Sequence, residues 1–153
     1  MADPLSIAAS ALAVAGAGGK LAQTLYIFIE SVRKSEKQLK PVADHVKLTS
    51  AVLDNIGSMF GDEDVRRLCK DSLLGTTNDA LKGCRQAFDD LRVFVDKLLG
   101  SDANGKAKMS AFDKLTFIPF RSRELDVLQT NLERFKSALD LVLSVLNLSV
   151  SIK

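Results

Sequence analysis

Apolar and polar positions alternate with a helical period along almost the whole chain. Leu125, Leu128, Leu132, Phe135, Leu139, Val142 and Leu146 follow one another in steps of three and four, the spacing that lines one side of an α-helix. This predicts a helix near 121–148 whose seam packs lengthwise against its neighbours. Val42, Val46, Thr49, Leu53, Ile56 and Phe60 repeat in the same way behind Pro41, a residue suited to the first turn, so a helix is expected near 41–60 with Gly61 as its stop. Asp62 can cap the next stretch, near 63–99. That stretch carries Val65, Leu68, Cys69, Leu73, Leu81, Cys84, Phe88, Leu91, Val95 and Leu98, with Gly75 marking a joint and Gly100 the end. Asp3 and Pro4 make a further helix start, opening a helix near 4–33 that places Leu21, Leu25, Phe28 and Val32 on one face. Gly16, Gly18 and Gly19 weaken it midway.

Between these elements the run 101–110, with Asn104 and Gly105, reads as a polar, exposed loop. A patch of Phe112, Leu115, Phe117, Ile118 and Phe120, interrupted by Pro119, follows it. Helix formers dominate, Pro is scarce and Trp is absent, and 153 residues suit one domain. The fold expected for 1–153 is all-α, a single helical bundle with a hydrophobic N-terminal or central helix.

The segment 1–19 stands apart, because no residue from Pro4 to Gly19 is charged. Asp3 in front of it argues against a secretory signal, which would carry Lys or Arg there. A helix over those residues reaches about 24 Å, less than the roughly 30 Å of a bilayer's hydrocarbon. Constitutive spanning is therefore not expected. A helix apolar on all sides is more commonly surrounded by others in a core. Its small-residue spacing, Ala9, Ala13 and Ala17, also suits helix association within lipid.

Candidate chemistry is sparse. Cys69 and Cys84 lack a metal-spaced neighbour and read as reduced, mostly buried thiols. His45, the one histidine, lies beside Asp44, but adjacent helical residues diverge by about 100° and no nucleophile is placed by motif. A solvated His45 is expected. Gly16 to Lys20 lacks the spacing, the following Ser or Thr and the preceding strand of a phosphate loop. No complete set of nucleophile, base and oxyanion donors is legible, so no enzyme, metal or cofactor is expected. The net charge of +2 is too small for the footprint of a nucleic-acid binder. Arg33, Lys34, Lys37, Lys40 and Lys47 cluster around the first helix–helix turn, and Lys106, Lys108, Lys114, Arg121 and Arg123 form a looser group. Such charges are mostly the wet faces of helices, with attraction to anionic lipid headgroups as their functional reading.

Met1 to Ile7 leading into Ala/Gly-rich sequence, then Leu25, Tyr26 and Ile29, and the late run Phe135 to Leu146 resemble the N-terminal HeLo and HeLo-like domains of fungal NLR-like STAND receptors, across nearly the whole chain. That family is related to the four-helix executioner domain of mixed-lineage kinase-like pseudokinase. The resemblance implies a cytoplasmic, non-enzymatic domain of fungal innate immunity and programmed cell death, including heterokaryon incompatibility. A downstream receptor module or an amyloid-signalling partner would control it. It would oligomerise with itself, move to the plasma membrane and insert its N-terminal segment. The matching positions are Leu5, Ile7, Leu12, Val14, Gly16, Gly18 and Gly19, with Arg33, Lys34, Lys37 and Lys40 toward anionic headgroups. In that scheme residues 1–19 are dispensable for most of the bundle's secondary structure and required at the membrane. The alternative is an interaction or oligomerisation adaptor that never touches lipid.

Overall fold

The computed structural model describes residues 3–31, 33, 36–99 and 122–152, and among these there is no β-strand. Five helices follow in chain order: α1 Pro4–Ser31, α2 Glu36–Phe60, α3 Glu63–Leu68, α4 Asp71–Leu99 and α5 Ser122–Ile152. The all-α bundle expected from the sequence is what forms. The expected loop 101–110 and the apolar patch 112–120 lie outside the described residues.

The four long helices close into a ring in which α1 touches α2 and α4, and α5 touches the same two. Ala8 and Leu12 meet Gly57, Gly18 meets Ser50, and Tyr26 meets Asp44, so α1 and α2 run antiparallel. One cleft is lined by Ala13 to Ala17 and Arg85 to Asp89, the next by Ala17 to Thr24 and Phe88 to Asp96, so α1 and α4 run parallel. α2 and α4 therefore occupy opposite corners of the ring. The chain reaches one from the other through α3, which touches α2 and α5.

Each buried face follows from its spacing. On α2 the fully buried Leu39, Val42, Val46, Leu53, Ile56 and Phe60 form the seam. Because that seam starts at Leu39, the helix begins at Glu36 and Pro41 lies inside it, not at its opening as its type suggested. A proline this close to the start removes only one internal hydrogen bond beyond the first turn. The expected joint at Gly75 is also displaced. Gly75 is helical with open space around it, and the chain breaks instead at Cys69, whose backbone is extended (φ −78°, ψ 128°). Asp62 caps α3 by accepting from the Asp64 N–H at 2.8 Å. Arg66 in turn donates to the carbonyls of Phe60 at 3.0 Å and Gly61 at 2.7 Å, closing the end of α2 where helix carbonyls otherwise lack partners. The α5 seam is in place, with Leu125, Leu132, Leu139, Val142 and Leu146 buried and Leu128 and Phe135 packed beside them.

Candidate functional site

The segment of interest is the first half of α1. Gly16, Gly18 and Gly19 do not interrupt it, since α1 is one helix of 28 residues. At 1.5 Å per residue it extends about 42 Å, of which the uncharged part, Pro4 to Gly19, makes up about 24 Å. Among the described residues α1 is the one helix long and apolar enough to cross a membrane, and the core helix of a soluble protein passes the same test.

The buried positions of α1 are Ile7, Ala11, Val14, Gly18, Leu21, Leu25 and Phe28, in steps of four and three, with Ala8, Ala15, Ala22 and Ile29 beside them at intervals of seven. The candidate residues therefore divide. Ile7, Val14 and Gly18 point into the bundle, while Leu5, Leu12, Gly16 and Gly19 are exposed. Leu5 is 57% exposed and Leu12 48%. Leu12 nevertheless lies over α2, because a Cβ added at Gly57 would meet its Cγ and Cδ2 at 2.7 Å. Gly18 is required by packing in the same sense: a Cβ there would stand 2.2 Å from Ser50 Oγ and 2.6 Å from Phe88 Cε2. Nothing lies within 4 Å of such an atom at Gly16 or Gly19.

Two adjoining clefts, of about 280 and 220 Å³, run along the junction of α1 and α4 and share Ala17, Phe88 and Asp89. Small side chains on α1 leave this junction open. At the opposite end of α1 the contact with α2 is polar. The Tyr26 hydroxyl donates to Asp44 Oδ1 at 2.5 Å, and Lys40 Nζ donates to Asp44 Oδ2 at 3.1 Å. Burial, then the hydrogen bond to Asp44 and its charge, push Tyr26 up to about 12. The hydrogen bonds from Tyr26 and Lys40 hold Asp44 below the ordinary carboxylate value.

Of the expected headgroup residues, Arg33, Lys37 and Lys40 are exposed near the α1–α2 turn. Lys40 is engaged with Asp44, and Lys34 lies outside the described residues. His45 is not the solvated residue expected. It is half-buried, its Nε2 is buried without a hydrogen-bond partner among the described residues, and burial holds its pKa below the ordinary imidazole value. Its surroundings come from α5, which lies too far along the chain for local sequence to reveal. Cys84 is buried and pushed up to about 12 by that burial, whereas Cys69 is half-buried.

Together these features define a helical-bundle domain with an apolar N-terminal helix. The chain belongs to the family described as the N-terminal domain of pigment biosynthesis cluster protein PigL, whose match covers residues 2–153. Comparison with curated proteins gives no match, and comparison with solved structures gives none.

Proposed function

We propose that this domain is a non-enzymatic effector or signalling module that self-associates when activated and acts at anionic membranes through the first half of α1. The observation that carries this reading is how that half is held. From Pro4 to Gly19 no residue is charged, and four of its six buried positions are alanine or glycine: Ala8, Ala11, Ala15 and Gly18 beside Ile7 and Val14. A large buried aliphatic side chain contributes about 1.5–3 kcal/mol, and alanine much less. The segment is thus lightly anchored, and its exposed side already tolerates an apolar medium. The resemblance to HeLo-like domains points the same way.

In this mechanism a partner or upstream receptor favours the state in which the segment has left the bundle, which requires only a difference in affinity between two conformations. The domain then moves from the cytoplasm to the plasma membrane. Arg33, Lys34 and Lys37 draw it to anionic headgroups, each adding about 1 kcal/mol near the surface. Lys20 stands about 24 Å along the helix from Pro4. A helix entering by its N-terminus would bring that ammonium to the headgroup layer, where a long side chain can reach water. No cofactor, metal or nucleic acid takes part.

Release of dye from vesicles rich in anionic lipid tests the reading. Leu5→Glu is the cleanest variant, because Leu5 is exposed, while Leu12→Glu also removes the side chain lying on Gly57. Folded Leu5→Glu is expected to abolish leakage. Neutralising Arg33, Lys34 and Lys37 is expected to weaken vesicle binding in a salt-dependent way. Leakage by folded Leu5→Glu equal to that of the unmodified domain overturns the insertion model. A second reading, an interaction or oligomerisation adaptor in a pigment-related setting, is favoured by the continuity of the buried α1 stripe with the common core. It predicts self-association without leakage.

A further inference from the structure

α2 presents different rows to its two neighbours. Toward α1 it carries Ala43, Ser50 and Gly57 at intervals of seven, all buried. His45 opens toward α5, and Gln38, Val52 and Met59 share its face at the same interval, all of them half-buried. Two members of this second row hold a buried polar atom with no hydrogen-bond partner, Gln38 Oε1 and His45 Nε2. An unsatisfied buried polar group costs about 1–3 kcal/mol, so the α2–α5 junction carries an uncompensated polar cost at Gln38 and His45.

The charged groups that act on the imidazole are Glu133, Lys136 and Asp140, all on α5. Lys136 donates to Asp140 at 3.1 Å. On α2 itself, the neighbouring Asp44 is occupied by Tyr26 of α1 and by Lys40. A neutral imidazole leaves these pairs intact. An imidazolium is a donor at both nitrogens, and among the described residues its Nε2 has no acceptor in place. Satisfying it means drawing Glu133 toward it, drawing Asp140 off Lys136, or separating the helices to admit water.

We propose that His45 makes the α2–α5 junction an acid-sensitive joint: acidification loosens this side of the ring while the α1–α2 side stays closed. Burial is the largest influence on His45 and lowers its pKa; Glu133 and Asp140 oppose that in part, and Lys136 adds to it. The unfolded chain therefore takes the proton first. The stability contributed by neutral His45 is complete above about 6.5, the unfolded value, and is lost as the pH falls through the lower folded value.

The chain has one histidine, so a single imidazole resonance can be followed by NMR without assignment. Its midpoint is expected below 6.5. Chemical denaturation between about pH 7.5 and about pH 5 spans the window in which imidazole titrates. There the unmodified domain is expected to lose more stability than His45→Gln, whose side chain stays neutral. The two measurements must agree: the folding equilibrium constant should fall about tenfold further than in the variant for each pH unit by which the NMR midpoint lies below 6.5. Hydrogen-exchange protection, taken relative to the intrinsic amide rate at each pH, should fall first along α5 and the facing side of α2. An NMR midpoint at or above 6.5, or an equal loss in His45→Gln, overturns the proposal. Loss of protection that begins in α1 overturns the assignment to this joint.

Discussion

The two halves of α1 belong to one unbroken helix and are held by different means. From Leu21 onward the buried positions are Leu21, Ala22, Leu25, Phe28 and Ile29, and the Tyr26–Asp44 hydrogen bond ties the same half to α2. Before Leu21 the stripe keeps its spacing but consists mainly of alanine and glycine. Equal geometry with unequal side-chain volume gives one half a strong grip on the core and the other a weak one, because burial free energy follows the apolar area removed from water. A helix can thus be continuous in structure and graded in stability.

The largest test of this contrast is Phe28→Ala, which empties a fully buried site in the strongly held half. It is expected to cost about 3–5 kcal/mol in chemical denaturation. A loss under about 1 kcal/mol would show that this half is not the anchor. Gly18→Ala probes the boundary by placing a methyl against Ser50 and Phe88. Overpacking of this kind is expected to cost about 1–3 kcal/mol, visible as a lowered denaturation midpoint. Ser50 cannot yield freely, since its hydroxyl donates to the Val46 carbonyl at 3.0 Å. Tyr26→Phe removes the polar tie and is expected to cost about 1.5 kcal/mol, the lower end of the range for a hydrogen bond to a charged group, because the pair is only part-buried. The smallest effect has the opposite sign. Gly16→Ala adds a methyl into open space and is expected to stabilise by about 0.5–1 kcal/mol through helix propensity alone. It should also slow hydrogen exchange in the first half of α1 more than in the second. Uniform exchange along α1 in the unmodified domain would remove the contrast altogether.

Much of the fold was legible because large apolar residues were spaced among charged ones. The α5 seam is the clearest instance, since Leu, Val or Phe recurs at every third or fourth position from Leu125 to Leu146. On α1 the face of Leu21, Leu25 and Phe28 was legible, but the stripe of its first half was not, although its spacing is as regular. Alanine and glycine occupy exposed positions such as Ala9, Ala13 and Gly16 as well as buried ones such as Ala8, Ala11 and Gly18, so composition does not distinguish the two sides. Local signals also misled where tertiary packing decided the outcome. Pro41 resembles a helix start, yet burial of Leu39 draws the helix a turn further back. Gly75 resembles a joint, yet the break falls at Cys69, where the chain turns from α3 into α4. His45 carries the signature of a surface residue, with Asp44 and Lys47 nearby, yet it is half-buried and the charges of α5 act on it. Of the candidate segment, the sequence disclosed the uncharged run but not its division into Ile7, Val14 and Gly18 inside and Leu5, Leu12, Gly16 and Gly19 outside.

The polar tie at Tyr26 also makes the domain its own optical reporter. The chain contains one tyrosine and no tryptophan, so its near-ultraviolet absorbance and emission are dominated by a single phenol, which lies at the α1–α2 contact. With that phenol bonded to Asp44, the tyrosinate band should rise at about 12; with α1 detached, it should rise near the ordinary value of about 10. An unlabelled sample titrated with alkali, or followed by emission as vesicles or a partner are added, therefore reports whether the second half of α1 stays docked while the first half moves.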